Sequence, residues 1–152
     1  METFTLNNGV KMPVIGIGTF LMDPDHAEQA VYETLNLVDY QIGVYGQKIA
    51  GDQFGEVLDK VKKADVLVIG SPMYWHNICG AVRTMLDRFY GPVTSGSLKG
   101  KKLFFLFQGA APEKWMLDAG NFTMSRFAGL YGLTYEGMAT NKDEAAKLSA
   151  EV

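Results

Sequence analysis

The chain has 152 residues, one cysteine and a formal net charge of −3, with 47% hydrophobic and 20% charged residues. That length suits one domain that buries a core without covalent staples, and a lone cysteine excludes an internal disulfide and a cysteine-rich metal or iron–sulfur site. The mild acidity argues against nucleic acid or an anionic membrane as partner. No apolar run reaches the length of a membrane span and no signal-like opening is seen, so the expected location is cytoplasmic.

Taken in order, residues Phe4 to Leu6 and Val10 to Ile17 flank Asn7-Asn8-Gly9, a tight-hairpin signal because Asn and Gly tolerate positive φ. Val14-Ile15-Gly16-Ile17-Gly18 reads as a buried strand. Asp23-Pro24 suits a helix start, Asp as N-cap and Pro at the first helical position, with the helix running to about Leu35 over Ala27, Ala30, Val31 and Thr34. METFTLNNGVKMPVIGIGTF with this acidic helix is similar to the opening of aldo-keto reductases, whose N-terminal hairpin closes the bottom of a TIM barrel. The resemblance covers roughly residues 1–35. An eight-fold barrel needs ~250 residues. Asp39 and Tyr45-Gly46 match that family's Asp…Tyr-Gly wording one residue too far apart, and no lysine segment matches, so a complete aldo-keto reductase site is not expected.

Leu37-Val38-Asp39 reads as a short second strand and Tyr40 to Gly51 as a polar loop. Asp52 suits a helix cap, followed by Phe54, Val57, Leu58 and Val61 at helical spacing. Val66 to Gly70 is short, β-branched and apolar, as in a strand buried on both faces of a parallel sheet. Ser71-Pro72 is expected to stop it. Tyr74 and Trp75 then offer flat apolar surface, His76 and Asn77 polar edges, and Gly80 a turn into a helix, so the loop suits a planar ring. The helix carries Ile78, Val82, Met85, Leu86 and Phe89 on one stripe, with Arg83, Asp87 and Arg88 pointing away.

Gly91 to Gly100 is a Gly- and Ser-rich loop before the strand Leu103 to Phe107. Gln108-Gly109-Ala110-Ala111-Pro112 forms a second small-residue loop. Trp115 opens a helix, with a kink expected at Gly120, that runs to Gly132. Leu133 to Met138 is a last strand, and Asn141 with Glu144 forms a capping-box-like start for a terminal helix.

The segment ADVLVIGSPMYWHNICGAVRTMLDRFYG resembles the central part of NAD(P)H-dependent FMN reductases, and the resemblance extends from about Asn36 to the C-terminus. With five buried strands alternating with helices, the expectation is one α/β domain over residues 1–152. It is flavodoxin-like, a doubly wound five-stranded parallel sheet in order 2-1-3-4-5 with an extra N-terminal β-hairpin. Residues 1–35 would supply the hairpin, first strand and first helix, making the chain a hybrid. The resemblance implies FMN as cofactor, with its ring against Pro72, Met73, Tyr74, Trp75, His76, Asn77 and Ile78 and closed by Gln108, Gly109 and Ala110. It implies NADPH or NADH as electron donor, a quinone, flavin or similar small-molecule acceptor, and a homodimer with the ring slot near the subunit boundary. Hydride transfer through a flavin requires no side-chain acid or base, so no catalytic residue is named, and no metal site is expected.

The phosphate end reads differently. FMN reductases hold the phosphate in the loop after the first strand, and here that loop is Gly18-Thr19-Phe20-Leu21-Met22-Asp23-Pro24-Asp25. One hydroxyl and two carboxylates oppose a dianion, against a helix dipole worth ~0.3–1 kcal/mol. Two readings therefore stand: an FMN-dependent oxidoreductase, or a flavodoxin-like hybrid scaffold that has lost phosphate binding and catalysis. A third takes Gly18-Thr19-Phe20 as a nicotinamide-contact segment that binds NADPH without flavin. Residue by residue, His76 reads as a backbone-bonded loop histidine before a proton donor, and Cys79 as buried packing before a nucleophile. Trp115 is open between lidding the ring and packing on its own helix.

Overall fold

The β-branched and aromatic runs assemble into one sheet. The computed structural model describes the backbone of residues 4–5, 11–12 and 14–18 and all of residues 33–149. The Asn7-Asn8-Gly9 turn, the helix expected from Asp23 and the loop from Thr19 to Asp25 lie outside these residues. Strands β1 (Phe4–Thr5) and β2 (Lys11–Met12) pair antiparallel, Phe4 opposite Met12. In the main sheet β3 (Val14–Gly18) pairs parallel with both β4 (Glu33–Asn36) and β5 (Val66–Tyr74). Beyond β5 come β7 (Lys102–Gln108) and β8 (Thr134–Ala139), also parallel. The neighbours thus run β4-β3-β5-β7-β8, and a two-residue strand β6 (Asn77–Ile78) hangs antiparallel on the end of β5, so the six-stranded sheet is mixed rather than purely parallel.

Four local expectations are corrected. Strand β4 lies at Glu33–Asn36, where the first helix was expected to end, and Leu37–Asp39 is a 3-10 turn rather than a strand. Pairing with β3, Ile15 opposite Glu33 through Gly18 opposite Asn36, fixes that register, a tertiary choice that overrides local propensity. Ser71-Pro72 does not stop β5. Pro72 stays in register beside Gln108, and past it Met73 and Tyr74 gain Ile78 and Asn77 as partners. Ile78 accordingly belongs to this hairpin and not to the stripe of the next helix.

Helix α1 (Phe54–Lys63) buries Phe54, Val57, Leu58 and Val61, as the spacing predicts. Helices α2 (Gly80–Phe89) and α3 (Lys114–Tyr131) follow, and α4 (Lys142–Ser149) packs on β8. A chain of ring contacts ties the first three helices together, Phe54 to Phe89 at 5.6 Å, Phe89 to Phe127 at 5.1 Å and Phe127 to Tyr131 at 5.0 Å. Burying each such ring is worth ~1.5–3 kcal/mol. Beneath them lie Leu67, Ile69, Leu103, Phe105 and Phe107 of the sheet. Lys101, at the entry to β7, donates to the carbonyls of Lys62 (2.9 Å) and Ala64 (2.5 Å), satisfying the end of α1 where the helix dipole favours a cation. At α4, Asn141 Oδ1 accepts the Glu144 N–H (2.9 Å). The return bond from Glu144 goes to Thr140, whose N–H and hydroxyl hold the Glu144 carboxyl below its ordinary range.

Arg88 does not point away to solvent. It donates to Asp52 Oδ2 (2.5 Å) and to the Gly43 carbonyl (2.8 Å), with its guanidinium 4.8 Å from the Phe54 ring centroid. Asp52 also accepts the Phe54 N–H (2.9 Å), an Asx-type start to α1, so one carboxylate pins the polar loop, α1 and α2. Arg88 first, then the Phe54 N–H, hold the Asp52 carboxyl below its ordinary range. A folded pKa depressed below the unfolded value gives stability that is present above the unfolded pKa and lost as pH falls through the folded one. Asp52→Asn should therefore cost roughly 1–2 kcal/mol at pH 7 by urea unfolding. The gap to wild type should close in acid, below about pH 4. A gap that persists there would show that the pair contributes through packing alone.

Candidate functional site

The carboxyl ends of the parallel strands meet along one edge, with Gly18 beside Asn36 and Gly70, and Pro72 beside Gln108. In open α/β sheets that edge is where ligands bind. What rises from it here is the β5–β6 hairpin. Met73 faces Ile78 and Tyr74 faces Asn77, leaving Trp75 and His76 as a two-residue turn with both φ positive, 47° and 66°. That is the type I′ geometry, which Asn-Gly fills without strain and which a bulky Trp adopts only at a cost.

Ser71 holds the base of the hairpin. Buried at 2% exposure, its Oγ accepts the Cys79 N–H (2.9 Å) and donates to the Pro72 carbonyl (2.8 Å). Pro72, Ile78 and Cys79 are buried beside it, so their side chains fix the hairpin instead of forming its surface. Asn77 Oδ1 accepts the Ile78 N–H (2.8 Å), which leaves its amide hydrogens unused among the described residues. Outward, Tyr74 is 63% and Trp75 93% exposed.

Across the crevice stand Gln108, Gly109 and Ala110, with Gln108 and Ala110 exposed. The chain passes so close to the hairpin at Gly109 that an added Cβ would lie 3.0 Å from Met73 Cβ. At the start of α3 the Trp115 ring meets the His76 ring at 5.2 Å, tilted by 56°, while its Nε1–H donates to Glu113 (2.9 Å). Trp115 thus closes toward the hairpin rather than only onto its own helix. All ten residues singled out in the sequence lie in or beside this crevice. Ser71, Glu113 and the Trp115–His76 contact were missed. A serine just before Pro in a strand carries no signal for a bond to a residue eight positions on.

The groups whose titration is displaced sit elsewhere. Besides Asp52 and Glu144, Lys60 is raised by its ion pair with Glu33. Burial raises Tyr131 and pushes Tyr135 up to about 12. The crevice itself offers flat rings, amide groups and close backbone, which suit the binding of a planar polar-edged molecule. Tyr74 and Trp75 offer exposed ring faces there, and Asn77 and Gln108 side-chain amides.

The parallel strand order β4-β3-β5-β7-β8, with helices between the successive strands from β4 onward, is that of a flavodoxin-like α/β protein. The fold matches the flavodoxin, WrbA-like protein from Agrobacterium tumefaciens with a TM-score of 0.57 at 16% identity, over 86% of this chain and 83% of that one. It matches the azoreductase from Bacillus anthracis with a TM-score of 0.65 at 13% identity, over 91% and 93%. The model of the NADPH-dependent FMN reductase family matches residues 10–119, and the chain belongs to that family. Among curated relatives, the FMN-dependent NADH:quinone oxidoreductase of Burkholderia thailandensis is 28% identical over 110 residues, 62% of this chain. The chain spans 56% of that relative's length.

Proposed function

We propose that the protein is an FMN-binding, NAD(P)H-dependent oxidoreductase that reduces a quinone, a flavin or a similar small acceptor. The observation that carries this reading is the β5–β6 hairpin, whose exposed rings stand over the strand ends beside Gln108 and Gly109. Family membership and the activity in the name of the Burkholderia relative support it. The fold is read as the doubly wound order 2-1-3-4-5, and the ring site as Pro72 to Ile78 with Gln108 to Ala110. Bound FMN would supply two-electron transfer between nicotinamide and acceptor. The chain's own part is positional: Tyr74 and Trp75 cover the ring, Asn77 and Gln108 meet its polar edge, and Trp115 narrows access of water. We read the protein further as cytoplasmic and homodimeric; among the described residues no helix is long and apolar enough to cross a membrane.

The hybrid origin of residues 1–35 is part of the proposal. Its consequence is a first loop carrying Asp23 and Asp25, which favours the second reading, a scaffold without FMN. Visible absorbance of the purified protein and an FMN titration followed by fluorescence quenching decide between them. Saturable binding at micromolar FMN, with NADPH or NADH oxidation dependent on added acceptor, is the expected result. A colourless protein indifferent to FMN at high micromolar concentration leaves the scaffold.

A further inference from the structure

Glu113 stands where α3 begins, at the mouth of the ring crevice, and its side chain does not do what that position ordinarily asks. As the N-cap residue it has extended backbone, φ −86° and ψ 154°, and its carbonyl accepts the Met116 N–H (3.0 Å), but its carboxylate makes no capping bond. Oε2 instead accepts the Trp115 Nε1–H at 2.9 Å, and the Trp115 ring lies 5.2 Å from that of His76 on the hairpin. The indole is 53% exposed, and water would serve its N–H nearly as well. What the bond adds is placement: it fixes the ring toward the hairpin and holds the carboxylate beside it.

That carboxylate is uncompensated. The neighbouring Lys114 pairs with Asp118 one turn on (2.5 Å), and Glu113 joins no ion pair among the described residues. The rest of the described crevice, Pro72 to Ile78 and Gln108 to Pro112, contains no Asp, Glu, Lys or Arg. The positive end of the α3 dipole amounts to roughly half a unit charge, which one carboxylate outweighs. A molecule entering between the rings therefore passes a net negative mouth. We propose that Glu113 sets acceptor specificity by charge: the crevice takes uncharged planar acceptors, of which quinones are the class, and disfavours anionic ones of the same shape. This rests on the oxidoreductase reading and deepens it. Glu113 acts through its field and through the indole it positions, and takes no part in electron transfer.

NAD(P)H oxidation by the FMN-loaded protein, with 1,4-naphthoquinone against 1,4-naphthoquinone-2-sulfonate as acceptor, tests this. The two share one ring system and one donor, so the ratio of kcat/KM, sulfonate over parent, isolates the charge. A unit charge pair about 6 Å apart in water is worth a factor of about three. Glu113→Gln, which keeps an oxygen for the indole N–H, should raise the ratio about threefold, and Glu113→Lys about tenfold. Both gains should come through KM of the sulfonate and shrink in about 0.5 M salt, whereas a merely loosened Trp115 follows neither the sign of the charge nor the salt. A second readout needs no turnover. Trp75→Phe leaves Trp115 as the single indole of a chain with two, and on that background Glu113→Gln should raise fluorescence quenching by iodide about twofold without a matching rise for neutral acrylamide. An active enzyme whose ratio stays at the wild-type value in both variants overturns the proposal, and so does iodide quenching indifferent to the charge at position 113. Protein that takes up no FMN, or oxidises no NAD(P)H with either quinone, fails the oxidoreductase reading itself and the acceptor role with it.

Discussion

Replacing Gly120 by Ala is expected to destabilise the protein by about 1–2 kcal/mol, although alanine is the better helix former by about 1 kcal/mol. Gly120 lies inside α3, against the sheet. A Cβ there would sit 2.4 Å from Phe107 Cε1 and 2.8 Å from Cδ1, far inside van der Waals contact. Phe107 has nowhere to go, being 1% exposed and stacked on Phe105 at 5.1 Å between centroids. The helix must therefore move off the sheet, and overpacking of this kind outweighs the propensity gain.

Gly129, on the same helix, is the control: a Cβ there meets nothing within 4 Å. Gly129→Ala should stabilise by about 0.5–1 kcal/mol, so the two variants move in opposite directions. For a chain of this size each kcal/mol shifts Tm by about 2–4 °C, which thermal unfolding resolves readily. Equal melting temperatures for the two variants would mean that α3 is not seated against Phe107 as described. Since Phe107 leads directly into Gln108, Gly120→Ala should also weaken FMN binding, whereas Gly129→Ala should not.

The same contrast between local pattern and close approach divides what the sequence made legible from what it did not. Val14 to Gly18, Val66 to Gly70 and Leu103 to Phe107 are apolar runs with no competing period, and each is a strand. The stripe of Phe54, Val57, Leu58 and Val61 is likewise unambiguous. Around Thr34 to Asp39 the pattern is ambiguous, since Leu35 and Leu37 suit either a helix end or a strand. Hydrogen bonding to β3, distant in sequence, decides it. Arg88 reads as a solvent-facing helix residue because its partner Asp52 is 36 positions away. In the crevice, the ring loop was legible as a cluster of Tyr, Trp, His and Asn. Its form as a type I′ hairpin was not, because Trp-His is among the least expected pairs for two positive φ angles.

That mismatch leads to the second large effect. Changing Trp75→Asn and His76→Gly together should raise stability by about 1–2 kcal/mol while sharply reducing flavin affinity and turnover. Non-glycine residues in the left-handed region cost roughly 1–2 kcal/mol each, and Asn-Gly relieves most of that. Against this gain stands the lost His76–Trp115 ring contact, worth ~0.5–1.5 kcal/mol, so the net change remains stabilising. Trp75 gives the fold nothing in return for its backbone strain, since its side chain is 93% exposed. Strain retained without a structural return points to use by the site. Trp75→Ala separates the two contributions, because it keeps the strained backbone and removes only the ring. Its stability should stay near wild type, and its FMN dissociation constant and NADPH oxidation should suffer as in the double variant. If both variants hold FMN and turn over as wild type does, the aromatic hairpin is not part of the flavin site, and the strained turn has no account in the proposed function.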